Sequence, residues 1–549
     1  MSRPSWARGS RVLYVGGTIH SPASPFATAM LVDDGVVAWL GEDSAAHAYR
    51  DVAERIVHLD GALVTPGFVD AHVHATSTGL LLGGLDLTGS TSLREMLDAV
   101  ATYVRSHPGE PVVGHGWDDS RWPERRPPTR AEIDRAAGSE RAYLSRIDVH
   151  SAVVSSALLD TVPGVRERPG YDPDGPLTRA AHHAAREAML SGVVPGARRA
   201  AQRATRRHAA ELGVVAVHEM AGPSISSADD LADLIALAET EPGPLVAGYW
   251  GQTAADGGID AARELGAVGV GGDLFVDGSL GSHTAWLAAD YADAPGDRGQ
   301  SYLDVQQIRS HLVAATDAGL QAGFHVIGDA ACAAVADGLR QAAADVGPAA
   351  LRLAGHRLEH AEMLDDEAAG TCVELGVALS MQPVFDALWG GPDGMYAARL
   401  GTERAGSLNR FADLVAAGAV LAFGSDAPVT PVGPWAAVRA AMHHRTPASG
   451  VTARAAFSAH TRGGWRAAGQ HGAGVLAPGA PAHVAIWAAG PTVVQTPDAR
   501  VVGWSTDPRS GTPGLPELGP DLPLPRCLRT LVHGTAVHDT GDLADESLS

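Results

Sequence analysis

Short apolar segments broken by Gly, Asp, Ser and Pro open the chain. RVLYVGGTIHS, TAMLVDDGVVAWLG and ERIVHLDGALV read as strands separated by turns. The style returns at the other end in APGAPAHVAIWAAG, RVVGWSTD and CLRTLVHGTAV. The pattern predicts one β-domain assembled from both termini, residues 1–65 and 474–549, with a larger domain inserted between them.

In the middle the pattern changes. Apolar strands are expected at GFVDAH (67–72), GVVAVH (213–218), PLVAGYW (244–250), GGDLFVDG (271–278), LQAGFHV (320–326), GHRLEH (355–360), GVALSMQ (376–382) and AVLAFGSD (419–426). Most precede Ala-rich helical sequence such as DAACAAVADGLRQAAADV. Repeated β-then-α predicts a parallel sheet. Eight such units predict a closed (β/α)8 barrel over 66–473, with its active site at the C-terminal ends of the strands. Between the first two strands lie about 140 residues with further strands, PVVGHGW and AYLSRID, and helices. They predict an inserted α+β subdomain, about 85–210, near the barrel mouth.

Composition narrows the function. The 549-residue chain is 45% hydrophobic, and it contains no uninterrupted apolar run able to span a bilayer and no apolar leader at its N-terminus. A formal charge of −22 argues against nucleic acid and anionic membranes as partners. Cys332, Cys372 and Cys527 are too widely spaced for a CxxC site or a disulfide framework, which fits a reducing cytoplasm. All 41 basic residues are Arg. Without Lys, Schiff-base chemistry and a Lys general base are excluded.

The expected strand ends carry the chemistry. The first ends at His72 and His74, the second at His218, the fifth at His325, the sixth at His360 and the eighth at Asp426. Residues i and i+2 of a strand face one side, so His72 and His74 can grip one ion. Imidazoles with a carboxylate suit Zn2+ or a similar divalent metal.

TPGFVDAHVH, DGSLGSHTA, HVIGDAA, RLEHAE and GSDAPV, in that order, resemble the amidohydrolase superfamily. More narrowly they resemble its YtcJ-like branch (amidohydrolase family 3), which includes N-substituted formamide deformylase. The resemblance covers nearly the whole chain, including GWDDSRWPERRPPTRAEID and RIDVHSAVVSSALL in the insertion. It implies a metal-dependent hydrolase with a TIM-like (β/α)8 barrel and a β-sandwich built from both termini. By position it implies His72, His74, His325 and His360 as metal ligands, and Asp426 as a ligand that also shuttles protons. A homodimer is expected by family analogy.

One position departs. Many relatives carry a carbamylated Lys on the fourth strand that bridges two metals, where this chain has Asp273 in GGDLFVDGSLG. An Asp carboxylate is shorter than a Lys carbamate by about 4–5 Å, from summed bond lengths. One ion per chain, Zn2+ foremost, is therefore favoured, with two if the backbone or the metals move so that Asp273 bridges. The expected reaction is hydrolysis of a C–N bond in a small amide-like molecule by an activated water, with Asp426 passing the proton to the leaving nitrogen. His360 is a further catalytic candidate if it is not a ligand. His218, His283, His150, Trp117 and Trp286 are substrate-side candidates, and Phe385 and Trp389 are expected in top-face loops. Asp277 and Asp329 read as loop or cap residues, and Ser458, His460 and Asp413 make no convincing triad. Alternative outcomes are a deaminase, weakened because HVIGD lacks the HxGE spacing, a lactone or ester hydrolase, or a metal-free binding protein.

Overall fold

The computed structural model describes residues 3–190, 193–495, 504–505 and 513–548. Its centre is an eight-stranded parallel sheet in which sequence order is also spatial order. The strands are Phe68–Val73, Val214–Ala221, Leu245–Trp250, Gly269–Val270, Gln321–Val326, Arg357–His360, Ala378–Met381 and Val420–Phe423. The first and eighth meet at the C-terminal rim, where Asp426 N donates to His72 O and His74 N donates to Ala427 O, each at 2.8 Å. The result is a nearly closed TIM-like barrel. Helices cover its outside with small side chains. Asp329–Val346 buries Ala331, Cys332, Val335, Leu339 and Ala342 along one face, a helical repeat that lets it lie close to the strands.

Seven of the eight expected strands coincide with observed ones. The fourth needs correction. GGDLFVDG is not a strand, since regular pairing ends at Val270. Gly271 and Gly272 follow with φ of +140° and +77°, and a Cβ on Gly271 would lie 2.2 Å from Gly323 N. Only glycine fits this close approach and backbone. The chain bends there and rejoins the neighbouring strand, with His325 N donating to Leu274 O and Val276 N to His325 O, both at 3.0 Å. Asp273 sits in the bend.

Two five-stranded sheets combine both ends of the chain. One holds Val12–Val15, Ala29–Asp33, Val36–Gly41, Arg55–His58 and Ala544–Ser547; the other holds Thr18–Ile19, Leu63–Pro66, Val484–Ala488, Arg526–Val532 and Thr535–Asp539. Tyr14, Met30 and Val57 of the first share a core with Val64, Ile486 and Leu531 of the second. Of the expected RVVGWSTD strand, only Trp504–Ser505 lie among the described residues, as a short strand.

The insertion carries its own five-stranded sheet, Leu85–Asp86, Val112–Trp117, Ala142–Arg146, Ser151–Val154 and Leu177–Thr178. Its alternation sorts side chains between two cores. Leu144 and Val153 face Met96, Val100 and Ile133 of two capped helices, while Tyr143 and Val154 face Ala181 and Ala185 of the helix Arg179–Leu190. None of the helices among the described residues is long and apolar enough to cross a membrane.

Barrel and terminal sheets meet at Phe68, which is fully buried. Its ring lies 5.0 Å from Trp435, 5.3 Å from Phe457 and 5.8 Å from Trp487, all edge-on. Replacing Phe68 with Ala should cost about 3–5 kcal/mol by leaving a cavity, read as a fall in the urea midpoint.

Candidate metal centre

The barrel rim brings together residues from five strand ends. Asp273 lies at the middle. Its Oδ2 is 3.3 Å from His72 Nε2 and 3.3 Å from His74 Nε2, and its Oδ1 is 3.4 Å from His325 Nδ1 and 3.7 Å from His360 Nε2. Asp426 Oδ1 closes the other side at 3.3 Å from His72 Nε2 and 3.2 Å from His74 Nε2. Asp273 thus reaches the imidazoles from the bend that follows Gly272. His360 and Asp426 have φ of +68° and +55°. Non-glycine residues held in this region store strain, which is concentrated here at the cluster.

Outer partners fix which nitrogen each ring presents. His72 Nδ1 is 2.9 Å from Glu359 Oε2, His74 Nδ1 donates to Met220 O at 3.0 Å, and His360 Nδ1 donates to Gln382 Oε1 at 2.8 Å. All three then turn Nε2 inward. His325 is reversed, with Nε2 3.3 Å from Gly278 O and Nδ1 toward Asp273. Such hydrogen bonds are how proteins orient metal-binding imidazoles. Glu359 is itself gripped by Arg357, at 2.5 Å through Nε and 3.0 Å through Nη2. Arg357 also donates to Ala71 O at 2.8 Å and stacks 4.5 Å from the Tyr249 ring centroid.

The electrostatics follow from burial opposed by pairing. Burial disfavours ionised Asp273, but His72, His325 and His360 outweigh it and hold its carboxyl well below the usual range. Burial likewise opposes charge on His74, but Asp273 and Asp426 carry its pKa up to about 9. Glu359 resists burial through Arg357 and His72 and falls to about 2. Despite this density of charge, the buried atoms His72 Nε2 and Asp426 Oδ1 make no hydrogen bond. Ligand atoms of His72, His74 and Asp426 form one group able to hold an ion, and those of His72, Asp273 and His360 form another.

Two cavities open on the cluster. One reaches His74; another is lined by His325, His360 and Asp426 together with His150, Phe385 and Trp389. The His150 ring lies 5.2 Å from that of His325. The other substrate-side candidates lie elsewhere. His218 is fully buried inside the barrel, where its Nδ1 accepts from Arg357 Nη1 at 3.1 Å. His283 pairs with Asp293 at 3.0 Å. Trp117 is locked in the core of the insertion by a 2.8 Å hydrogen bond to Leu144 O, and Trp286 packs half-buried against the barrel core. None of these four lines either cavity. Asp277 accepts from the backbone of Trp286, Ile327 and Gly328, and Asp329 from Ala288 and Ala330, both within loops or caps. His460 bonds Val69 O at 2.9 Å.

Sequence reasoning passed over Arg357, Glu359 and Gln382. A signal was available: in HRLEH, charged residues alternate with Leu358 on a strand otherwise read as buried, which places them inside the barrel.

Fold and rim together are those of a barrel enzyme acting at the C-terminal ends of its strands. The chain belongs to the amidohydrolase family, whose model matches residues 55–538. It is 29% identical over 505 residues to the protein LONG AFTER FAR-RED 3 of Arabidopsis thaliana, covering 85% of each chain. It is 26% identical over 456 residues to the YtcJ protein of Bacillus subtilis (strain 168), covering 75% of this chain and 80% of that one. Among solved structures, an uncharacterized metal-dependent hydrolase from Pyrococcus furiosus superposes with a TM-score of 0.68 at 26% identity, over 87% of this chain and 98% of the other. The protein is thus a hydrolase of this family.

Glu359→Gln should leave Arg357 buried without its counter-charge and cost about 3–5 kcal/mol in urea denaturation. Adding Arg357→Met to the same chain should recover much of that loss, because the unpaired charge is gone. Equal destabilisation in the single and double variants would contradict the pairing.

Proposed function

We propose that the protein is a divalent-metal-dependent hydrolase that cleaves a C–N bond in a small amide-like molecule: an N-acyl, N-formyl or cyclic amide. The observation that carries the reading is the pair His72 Nε2 and Asp426 Oδ1. They are buried, 3.3 Å apart and without a hydrogen bond, so both aim at a common point. The donor set fits a divalent ion of the zinc kind. His72, His74 and Asp426 would hold it, with Asp273 Oδ2 facing the same pair of imidazoles. A second ion is supported by the other oxygen of Asp273, which faces His325 and His360 separately. The bound metal would supply a water of lowered pKa and polarise the carbonyl.

The chain's own groups do the rest. Asp426 borders the cavity shared with His325 and His360, so it meets both the attacking water and the leaving nitrogen. It accepts the proton from the first and delivers it to the second, which otherwise departs as a poor anion. In the one-ion arrangement His360, its Nδ1–H held by Gln382, donates from Nε2 to the carbonyl oxygen as an imidazolium, a form that Asp273 and Asp426 favour against burial. The three cysteines are buried and unpaired, which supports a reducing, cytoplasmic setting.

Metal analysis of purified protein by mass spectrometry should return one or two ions per chain, and Asp273→Ala should reduce two to one if that carboxylate bridges. Protein that takes up no divalent ion would end the proposal. Against a panel of amides, amidines and esters, Asp426→Ala should lower kcat by about 100-fold or more while leaving the circular dichroism spectrum unchanged. An Asp426→Ala protein working at the wild-type rate would show that the proton is carried elsewhere.

A further inference from the structure

Three sequence motifs that the metal chemistry leaves unused meet at one point. GWDD closes the strand Val112–Trp117, RIDVHS leaves the strand Ala142–Arg146, and DGSLGS follows the bend of the fourth barrel strand. Arg146 is buried and bonds three carboxylates. Its Nη2 reaches Asp118 and its Nε reaches Asp119, at 3.0 Å each, and its Nη1 reaches Asp148 Oδ2 at 2.9 Å. The same oxygen of Asp148 leaves the insertion. It accepts from Ser282 Oγ at 2.8 Å and from Ser279 Oγ at 3.1 Å, both on the barrel loop. Burial opposes charge on Asp148, but Arg146 holds its carboxyl below the usual range. The two surfaces meet at main-chain distance. A Cβ on Gly281 would lie 2.5 Å from Asp148 Oδ2 and 2.6 Å from Arg146 Nη1.

The turn that carries Asp148 is built under strain. Val149 has φ of +51°, a region that a β-branched side chain rarely occupies. Three hydrogen bonds keep it there. Val149 N donates to Arg146 O at 2.9 Å, His150 N to Asp148 Oδ1 at 3.2 Å, and Arg186 Nη2 to Val149 O at 2.6 Å. On the barrel side the loop folds back on itself, with Gly278 N donating to Thr284 O at 3.0 Å and Ser279 N to Thr284 Oγ1 at 2.9 Å. Arg399 Nη2 holds its far side through Gly281 O at 3.0 Å.

This loop decides the orientation of one ring of the cluster. His72, His74 and His360 take their outer partners from Glu359, Met220 and Gln382, which lie on barrel strands or next to one. His325 differs. Its Nε2 faces Gly278 O at 3.3 Å, a loop carbonyl, and Gly278 is next to a serine that Asp148 grips. An Nε2–H fixed outward leaves the Nδ1 lone pair facing Asp273.

The geometry points to Asp148 as a positioning residue: it clasps the loop 278–282 so that Gly278 O keeps His325 turned with Nδ1 inward, and the insertion thereby fixes one imidazole of the metal cluster. This deepens the hydrolase reading and rests on it for the ion, while the clasp rests on the loop contacts alone. Asp148 acts here only through other groups.

Amide hydrogen exchange of the full-length protein, read on peptides from 276–286, tests the clasp. Asp148→Ala should speed exchange there by about tenfold or more, with the helices Leu93–Ser106 and Asp329–Val346 unchanged. Ser279→Ala combined with Ser282→Ala removes only the two hydroxyls and should act in the same direction, which decides the matter if Asp148→Ala unfolds the insertion. Unchanged exchange in the double serine variant overturns the inference. The visible absorption of cobalt(II)-loaded protein then reads the ligand set. His325→Gln should alter its d–d bands, Asp148→Ala should move them the same way, and Asp148→Asn, which keeps a hydrogen-bonding side chain of the same shape, should stay close to wild type. A wild-type spectrum in either Asp148→Ala or His325→Gln overturns the inference. Protein that takes up no cobalt sinks the hydrolase reading instead, and the exchange rates still judge the clasp.

Discussion

Glu359 is the charge on which the active rim depends. It lies fully buried between the guanidinium of Arg357 and the imidazole of His72. Taking these groups from water is costly, and the cost is offset only when every partner is in place. Arg357 spreads the requirement further, to the carbonyl of Ala71, the ring nitrogen of His218 and the face of Tyr249. Four barrel strands are thereby tied to one buried network whose outermost member is the His72 ring. Its orientation is set from within the barrel, before any ligand arrives.

The fourth strand shows how a bend in the main chain can place a short acid. Two glycines in backbone conformations closed to other residues end the strand early and swing Asp273 among four imidazoles. Pairing with the fifth strand resumes beyond the bend, so the sheet loses only part of one ladder.

Much of this was written in the chain. His72, His74, His325, His360 and Asp426 fall at the ends of apolar strands, and barrel geometry converts that position into proximity. The place of Asp273 was not readable as a strand residue, because it depends on the φ angles of Gly271 and Gly272, which look like an ordinary strand opening in one dimension. Trp117 misleads for a different reason. It looks like a loop aromatic facing the mouth, yet it ends a strand and bonds the carbonyl of Leu144, a partner fixed by sheet pairing inside the insertion.

The closure between the first and eighth strands carries a mechanical consequence. The hydrogen bonds that seal the ring run from Asp426 and His74 to their opposite carbonyls, and Asp70 reinforces them by accepting from Ser425 N at 2.8 Å. Those same residues bear the side chains that converge on the cluster. A cation gripped there would act as a rivet between segments more than 350 positions apart, since His72 and Asp426 are separated by that much chain. Filling that site would then add to the strength of this one seam, and emptying it would leave the seam to its hydrogen bonds.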